Sequence, residues 1–103
     1  MTTKKQSQFV QWMPFVLDSL RELGGSATPR EVTESVARIS KVPESKQYEK
    51  LKGGALRFPN QVAWARQYLI WEGLLTSPKH GLWMLTDSGR NTQLTYDTAH
   101  EIF

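Results

Sequence analysis

Residues 58–89, FPNQVAWARQYLIWEGLLTSPKHGLWMLTDSG, decide how the chain is read. Pro59 can occupy the first turn of a helix without losing a hydrogen bond. No Pro or Gly follows until Gly73, which stands where a left-handed residue usually ends a helix. The spacing predicts a helix from Pro59 to Glu72. Two short apolar runs come next, Leu74 to Thr76 and Leu82 to Thr86. Between them Ser77-Pro78-Lys79-His80-Gly81 supplies turn chemistry and a glycine for positive φ. The expected product is a β-hairpin with a basic tip.

Upstream, Phe9, Met13, Val16, Leu20 and Leu23 recur at alternating steps of four and three and so share one helix face. Pro14 marks where the regular part begins, and Gly24-Gly25 ends it. Thr28-Pro29-Arg30-Glu31 reads as a capping box with proline at the first helical position, followed by Val32, Val36 and Ile39 on the buried face of a second helix. Between Ser40 and Arg57 the pattern loosens: Pro43 opens a short helix through Leu51, closed by Lys52-Gly53-Gly54. Residues 1–8 are polar and expected to be a disordered tail. Residues 91–103 read as a final helix or the start of a linker, and their apolar end at Ile102-Phe103 suggests a piece of a longer protein.

These elements imply an α+β winged helix over residues 9–90, a helix-turn-helix variant. It has three main helices, a short extra helix before the third, and a two-stranded hairpin wing. Helix followed by wing is the half of such a fold that meets nucleic acid.

A chain of 103 residues with 39% apolar content, four Trp and four Phe can bury one core and leaves no room for a second, catalytic domain. The absence of Cys excludes disulfides, thiolate metal sites and cysteine nucleophiles, and fits a reducing compartment. No apolar run approaches a membrane span and the start MTTKKQSQ lacks a signal-peptide core, so the expected location is the cytoplasm. With His80 and His100 the only histidines, no metal site is expected. Nor is there a glycine-rich phosphate loop or a nucleophile elbow, so the chain reads as catalytically silent and without a cofactor.

The net charge of +3 is unevenly spread. Residues 1–50 hold eight Lys/Arg against six Asp/Glu, residues 51–85 four against one, and residues 86–103 one against three. The excess falls on the helix and hairpin, as it would if they met a polyanion.

Stepping about 100° per residue places Val62, Ala65, Leu69 and Glu72 on one side of the third helix and Asn60, Ala63 and Gln67 on the other. Asn and Gln can each bond adenine N6 and N7 together, so Asn60 and Gln67, with Gln61 at the flank, are the candidate base readers. Asn60 also reads as a helix cap. Trp64 reads as a surface for a base, or as a packing residue, the commoner role in a small domain. Trp83 reads as structural. Ile70 and Trp71 point away from the face of Leu69, which implies packing under the hairpin or against another domain. Lys52, Arg57, Arg66 and Lys79 are candidate phosphate contacts, and His80 could enter a narrow minor groove. About four neutralised phosphates would give a slope of log K against log salt near −3.6.

The chain resembles the N-terminal domain of Mrr-like restriction endonucleases. That family carries Asn-Arg-x-x-Trp-Ala, then Leu and Gly-Leu, before a hairpin ending in Gly-x-Trp-x-Leu-Thr and a further Gly. Here Asn60, Val62, Trp64, Ala65, Leu69, Gly73, Leu74, Gly81, Trp83, Leu85, Thr86 and Gly89 follow in that order. The Pro-Phe-Val-Leu start at Pro14 and Gly24-Gly25 also match, so the likeness spans about residues 9–90. The family's frequent Arg beside the Asn is Gln61 here, which keeps hydrogen-bonding capacity and loses a charge. The resemblance implies a module that targets a separate nuclease domain of the same longer chain to double-stranded DNA, often methylated. The rival readings are a protein-interaction or homodimerisation module and a ligand-responsive transcriptional regulator.

Overall fold

The computed structural model describes residues 8–51, 53–95 and 97–99. The expected tail therefore lies outside the described residues except for Gln8, and so does Lys52. A 3-10 turn, Gln8–Trp12, leads into α1, Met13–Glu22. Then follow β1 (Ser26–Ala27), α2 (Pro29–Ser40), a four-residue α3 (Glu44–Gln47), the long α4 (Arg57–Trp71), β2 (Leu75–Lys79), β3 (Leu82–Leu85) and α5 (Asp87–Asn91).

Val10, Met13, Val16, Leu17 and Leu20 of the first helical segment pack in one core with Val32 and Val36 of α2 and with Phe58, Val62, Ala65 and Leu69 of α4. The four-and-three periodicity thus held to Leu20, whereas Leu23 is exposed because α1 has already ended at Glu22. Two helices end the same way. At Gly24-Gly25 the Gly25 N–H donates to the Leu20 carbonyl (2.7 Å), and at Gly73-Leu74 the Leu74 N–H donates to the Leu69 carbonyl (2.9 Å), each with a left-handed glycine one residue earlier. This Schellman closure satisfies the last carbonyls and turns the chain sharply. The capping box at α2 is complete: the Thr28 hydroxyl accepts from the Glu31 N–H (3.2 Å) and Glu31 Oε1 accepts from the Thr28 N–H (2.9 Å).

The expected two-stranded wing is a three-stranded antiparallel sheet of order β1-β3-β2. Ser26-Ala27, assigned to no element from sequence, pairs with Met84 and Trp83, and the Leu85 N–H donates to the Gly25 carbonyl (2.8 Å). Two residues show no periodicity, which is why β1 could not be read. The hairpin turn is also tighter than expected. Lys79 pairs with Leu82, leaving His80-Gly81 as the loop, with Gly81 at φ 81°. The ladder is irregular between Thr76 and Lys79, where Pro78 has no N–H to give. The short helix of the linking segment stops at Gln47 instead of Leu51, and Lys50 forms an isolated bridge with Leu56. This element order and sheet order are compatible with a winged helix.

The root of the hairpin is locked to the end of α4. Thr86 donates its hydroxyl to the Gly73 carbonyl (2.6 Å), accepts from the Gly89 N–H (3.0 Å), and gives its own N–H to the Leu74 carbonyl (3.1 Å). Arg21 of α1 holds the far side, donating to the carbonyls of Gly89 (2.9 Å) and Thr92. Farther on, Ala99 is buried in the core, and Thr95 and Thr98 cap one another, each hydroxyl accepting from the other's N–H.

Candidate nucleic-acid interface

Helix α4 buries Phe58, Val62, Ala65 and Leu69, so the opposite side must face out. Stepping around the helix from that buried face, Asn60, Trp64, Gln67 and Trp71 fall together at spacings of four, three and four. Asn60 is exposed and Gln67 half-buried, while Trp64 and Trp71 retain 47% and 62% of their accessible surface. The stripe therefore alternates amide and indole and carries no charge. Glu72, grouped with the buried residues from sequence, is exposed because it is the residue that ends the helix.

The tryptophans divide as the packing decides. Trp83 is buried in the core and beneath Arg66, as its place in the hairpin implied. Trp64 does not pack into the core, against the commoner reading of it, because the buried face is already filled by Val62, Ala65 and Leu69. Ile70 does pack against the core. Trp71 stands edge-on to Tyr68 (5.0 Å between centroids), which stacks on Phe9 (5.0 Å), so an aromatic ledge continues the stripe. Both indoles remain exposed among the described residues.

Gln61 is set apart from the stripe. Its Oε1 accepts from the Trp12 indole N–H (2.8 Å), which ties the 3-10 turn to α4 and commits the residue to internal contact. Ala63 is half-buried and lines a groove of about 400 Å³ with Pro29, Phe58, Pro59 and Trp83. A shallow hollow beside it involves Trp64, Arg66 and Gln67.

The candidate phosphate contacts are not equivalent. Arg57 Nε lies 3.3 Å from Glu49 Oε1, an off-axis ion pair in which Nε makes no hydrogen bond among the described residues. Arg66 donates to Gln67 Oε1 (3.2 Å) and places its guanidinium 5.2 Å from the Trp83 ring centroid. Burial holds its pKa below the ordinary arginine value. Both cations are thus partly engaged by the protein itself. Lys79 and His80 are exposed at the hairpin end.

Three exposed lysines went unremarked in the sequence: Lys41, Lys46 and Lys50. The first two share a groove of about 340 Å³ with Trp12, Arg57 and Gln61 beside the start of α4. Counting charge by folded segment instead of over residues 1–50, 51–85 and 86–103 would have found them. Among the described residues no group of three or more His, Cys, Asp or Glu could hold a metal ion, and no helix is long and apolar enough to cross a membrane.

No curated protein and no solved structure matches the chain. A family model described as the Mrr N-terminal domain matches residues 9–94, most of the chain's length. The chain therefore belongs to the Mrr N-terminal domain family, an accessory domain associated with restriction systems.

Proposed function

We propose that this domain is a winged helix that binds double-stranded DNA, with α4 in the major groove and the Lys79-His80 end of the hairpin against the backbone. It delivers a nuclease domain of the same longer chain to its target and does no chemistry itself. The observation that carries this reading is the outward stripe of α4, in which the described residues leave Asn60, Trp64 and Trp71 exposed and Gln67 half-buried. Asn60 bears the paired donor and acceptor that suit adenine N6 and N7, and Gln67 offers the same pair once its Oε1 lets go of Arg66. Trp64 between them offers an apolar face to a thymine or cytosine methyl group, which is why methylated duplexes belong in the test.

Fluorescence anisotropy on matched duplexes carrying cytosine, methylcytosine or methyladenine, at two salt concentrations, tests the proposal. Binding that weakens steeply with salt supports it. No binding at low salt refutes it.

The exposure of Trp64 and Trp71 also favours a second reading, a docking or homodimer surface, since aromatic side chains anchor protein interfaces. Sedimentation of the free protein separates the two. A concentration-dependent dimer lost in Trp71→Ala, without duplex binding, selects docking.

A further inference from the structure

We infer that the phosphate grip of this domain comes from the segment joining α2 to α4, through Lys41, Lys46 and Lys50, more than from the hairpin tip. The inference rests on α4 entering a DNA groove and names where the backbone then runs. Residues 41–57 hold five Lys/Arg against two Asp/Glu, and the remaining eight and eight of the chain cancel. This one segment therefore accounts for the whole net charge of +3.

Its position turns charge into a binding surface. The segment wraps the N-terminal end of α4. On one side Gln47 and Tyr48 border the groove that holds Pro59 and Ala63. On the other, Lys41 and Lys46 border the groove that holds Arg57 and Gln61. Lys50 sits at the bridge to Leu56, one residue before α4 begins. None of the three lysines is in an ion pair among the described residues, whereas Arg30, Arg38 and Arg57 each face a carboxylate. Lys41 is also held in the left-handed conformation (φ 59°) that ends α2, which fixes where its side chain leaves the backbone.

The end of α4 adds to the effect. Leu56 at the N-cap has no side-chain oxygen, so the positive end of a fifteen-residue helix is uncapped by any side chain and opens on the same region. A helix laid in the major groove is flanked by phosphates on both walls. Cations beside its first turn meet those phosphates whatever the base sequence. The hairpin end offers one lysine and one histidine. Two carboxylates oppose the arrangement: Glu44 in the first turn of α3, and Glu49, which lines the lysine groove and occupies Arg57.

The test is a salt titration of duplex binding for four proteins: wild type, the Lys41→Gln/Lys46→Gln/Lys50→Gln variant, Lys79→Gln and Glu49→Gln. At about 0.9 in slope per phosphate neutralised, the triple variant should flatten log K against log salt by about 2.7, and Lys79→Gln by no more than about 0.9. Glu49→Gln should bind more tightly and steepen the slope, because Arg57 is released to the DNA. Equal effects on two duplexes of unrelated sequence are expected throughout. Wild-type binding with an unchanged slope in the triple variant overturns this inference and leaves DNA binding standing. Wild-type protein that binds no duplex overturns both. Thermal melts accompany each variant, and if the triple variant does not fold, Glu49→Gln decides: failure to strengthen binding overturns the inference.

Discussion

Gly89→Ala is a test of how the hairpin is fixed to α4. Gly89 lies inside α5 without positive φ, so alanine would ordinarily favour the helix there by up to ~1 kcal/mol. The packing reverses that sign. A Cβ at this position would stand 3.0 Å from the Leu74 carbonyl carbon and 3.2 Å from Leu85 Cδ2, and closer still to the Leu74 oxygen. The oxygen cannot retreat, because it accepts the Thr86 N–H (3.1 Å) while the Leu74 N–H is held by the Leu69 carbonyl (2.9 Å). Overpacking of this kind costs about 1–3 kcal/mol. Displacing Gly89 also weakens its N–H bond to the Thr86 hydroxyl, an N-cap contact worth ~1 kcal/mol. After the helix-propensity gain the net loss is about 1–3 kcal/mol, or a fall in Tm of roughly 5–20 °C for a domain of this size. Circular dichroism melts of Gly89→Ala beside Gly53→Ala provide the assay, since nothing lies within 4 Å of a Cβ at Gly53. Gly53→Ala should stay within ~0.5 kcal/mol of wild type. A Gly89→Ala protein that melts at or above the wild-type temperature refutes the packing argument.

Thr28→Ala removes the hydroxyl that accepts from the Glu31 N–H, leaving only the bond from the residue-28 N–H to Glu31, and should cost about 0.5–2 kcal/mol in urea unfolding; an unchanged midpoint would mean the hydroxyl cap contributes nothing. Trp64→Ala should leave the melting temperature nearly unchanged, given its exposure, yet weaken duplex binding; a large loss of stability would show that the indole packs after all. Asn60→Ala should change discrimination among duplexes by about 1–3 kcal/mol, whereas Lys79→Ala weakens every duplex by a similar factor. Equal, sequence-blind losses in both would count against base reading by Asn60. Arg66→Ala should destabilise the fold by about 0.5–2 kcal/mol through loss of its contact with Trp83, measured by thermal melt with Lys79→Ala as the exposed control.

What could be read from sequence was whatever is written in local chemistry. The capping box at Thr28, the glycine ends of α1 and α4, and the helix-to-hairpin order all depend on residues within a few positions of each other. The buried set Val62, Ala65 and Leu69 followed from periodicity alone. What could not be read depended on partners far along the chain. Strand β1 is two residues whose only reason to extend is β3, more than fifty positions away. Gln61 looked like a groove reader until Trp12 took its carbonyl, and Arg57 and Arg66 looked free until Glu49 and Trp83 engaged them. Trp64 was read mainly as packing because a tryptophan in a small domain commonly packs, yet the core face of α4 is complete without it.

An uncharged stripe can serve a domain proposed to bind a polyanion. If lysines lined the outward face of α4, they would hold every duplex alike and mask the small energies by which Asn60 and Gln67 are proposed to tell bases apart. In the proposed complex, cations on the segment before α4 would separate holding from reading: Lys41, Lys46 and Lys50 would set a salt-dependent affinity common to all sequences, and the amide-indole stripe would add a salt-independent difference between them. That division has a measurable signature. Raising salt should lower affinity for all duplexes in parallel while their ratios stay constant, and ratios that shrink as salt rises would place part of the reading on the lysines themselves.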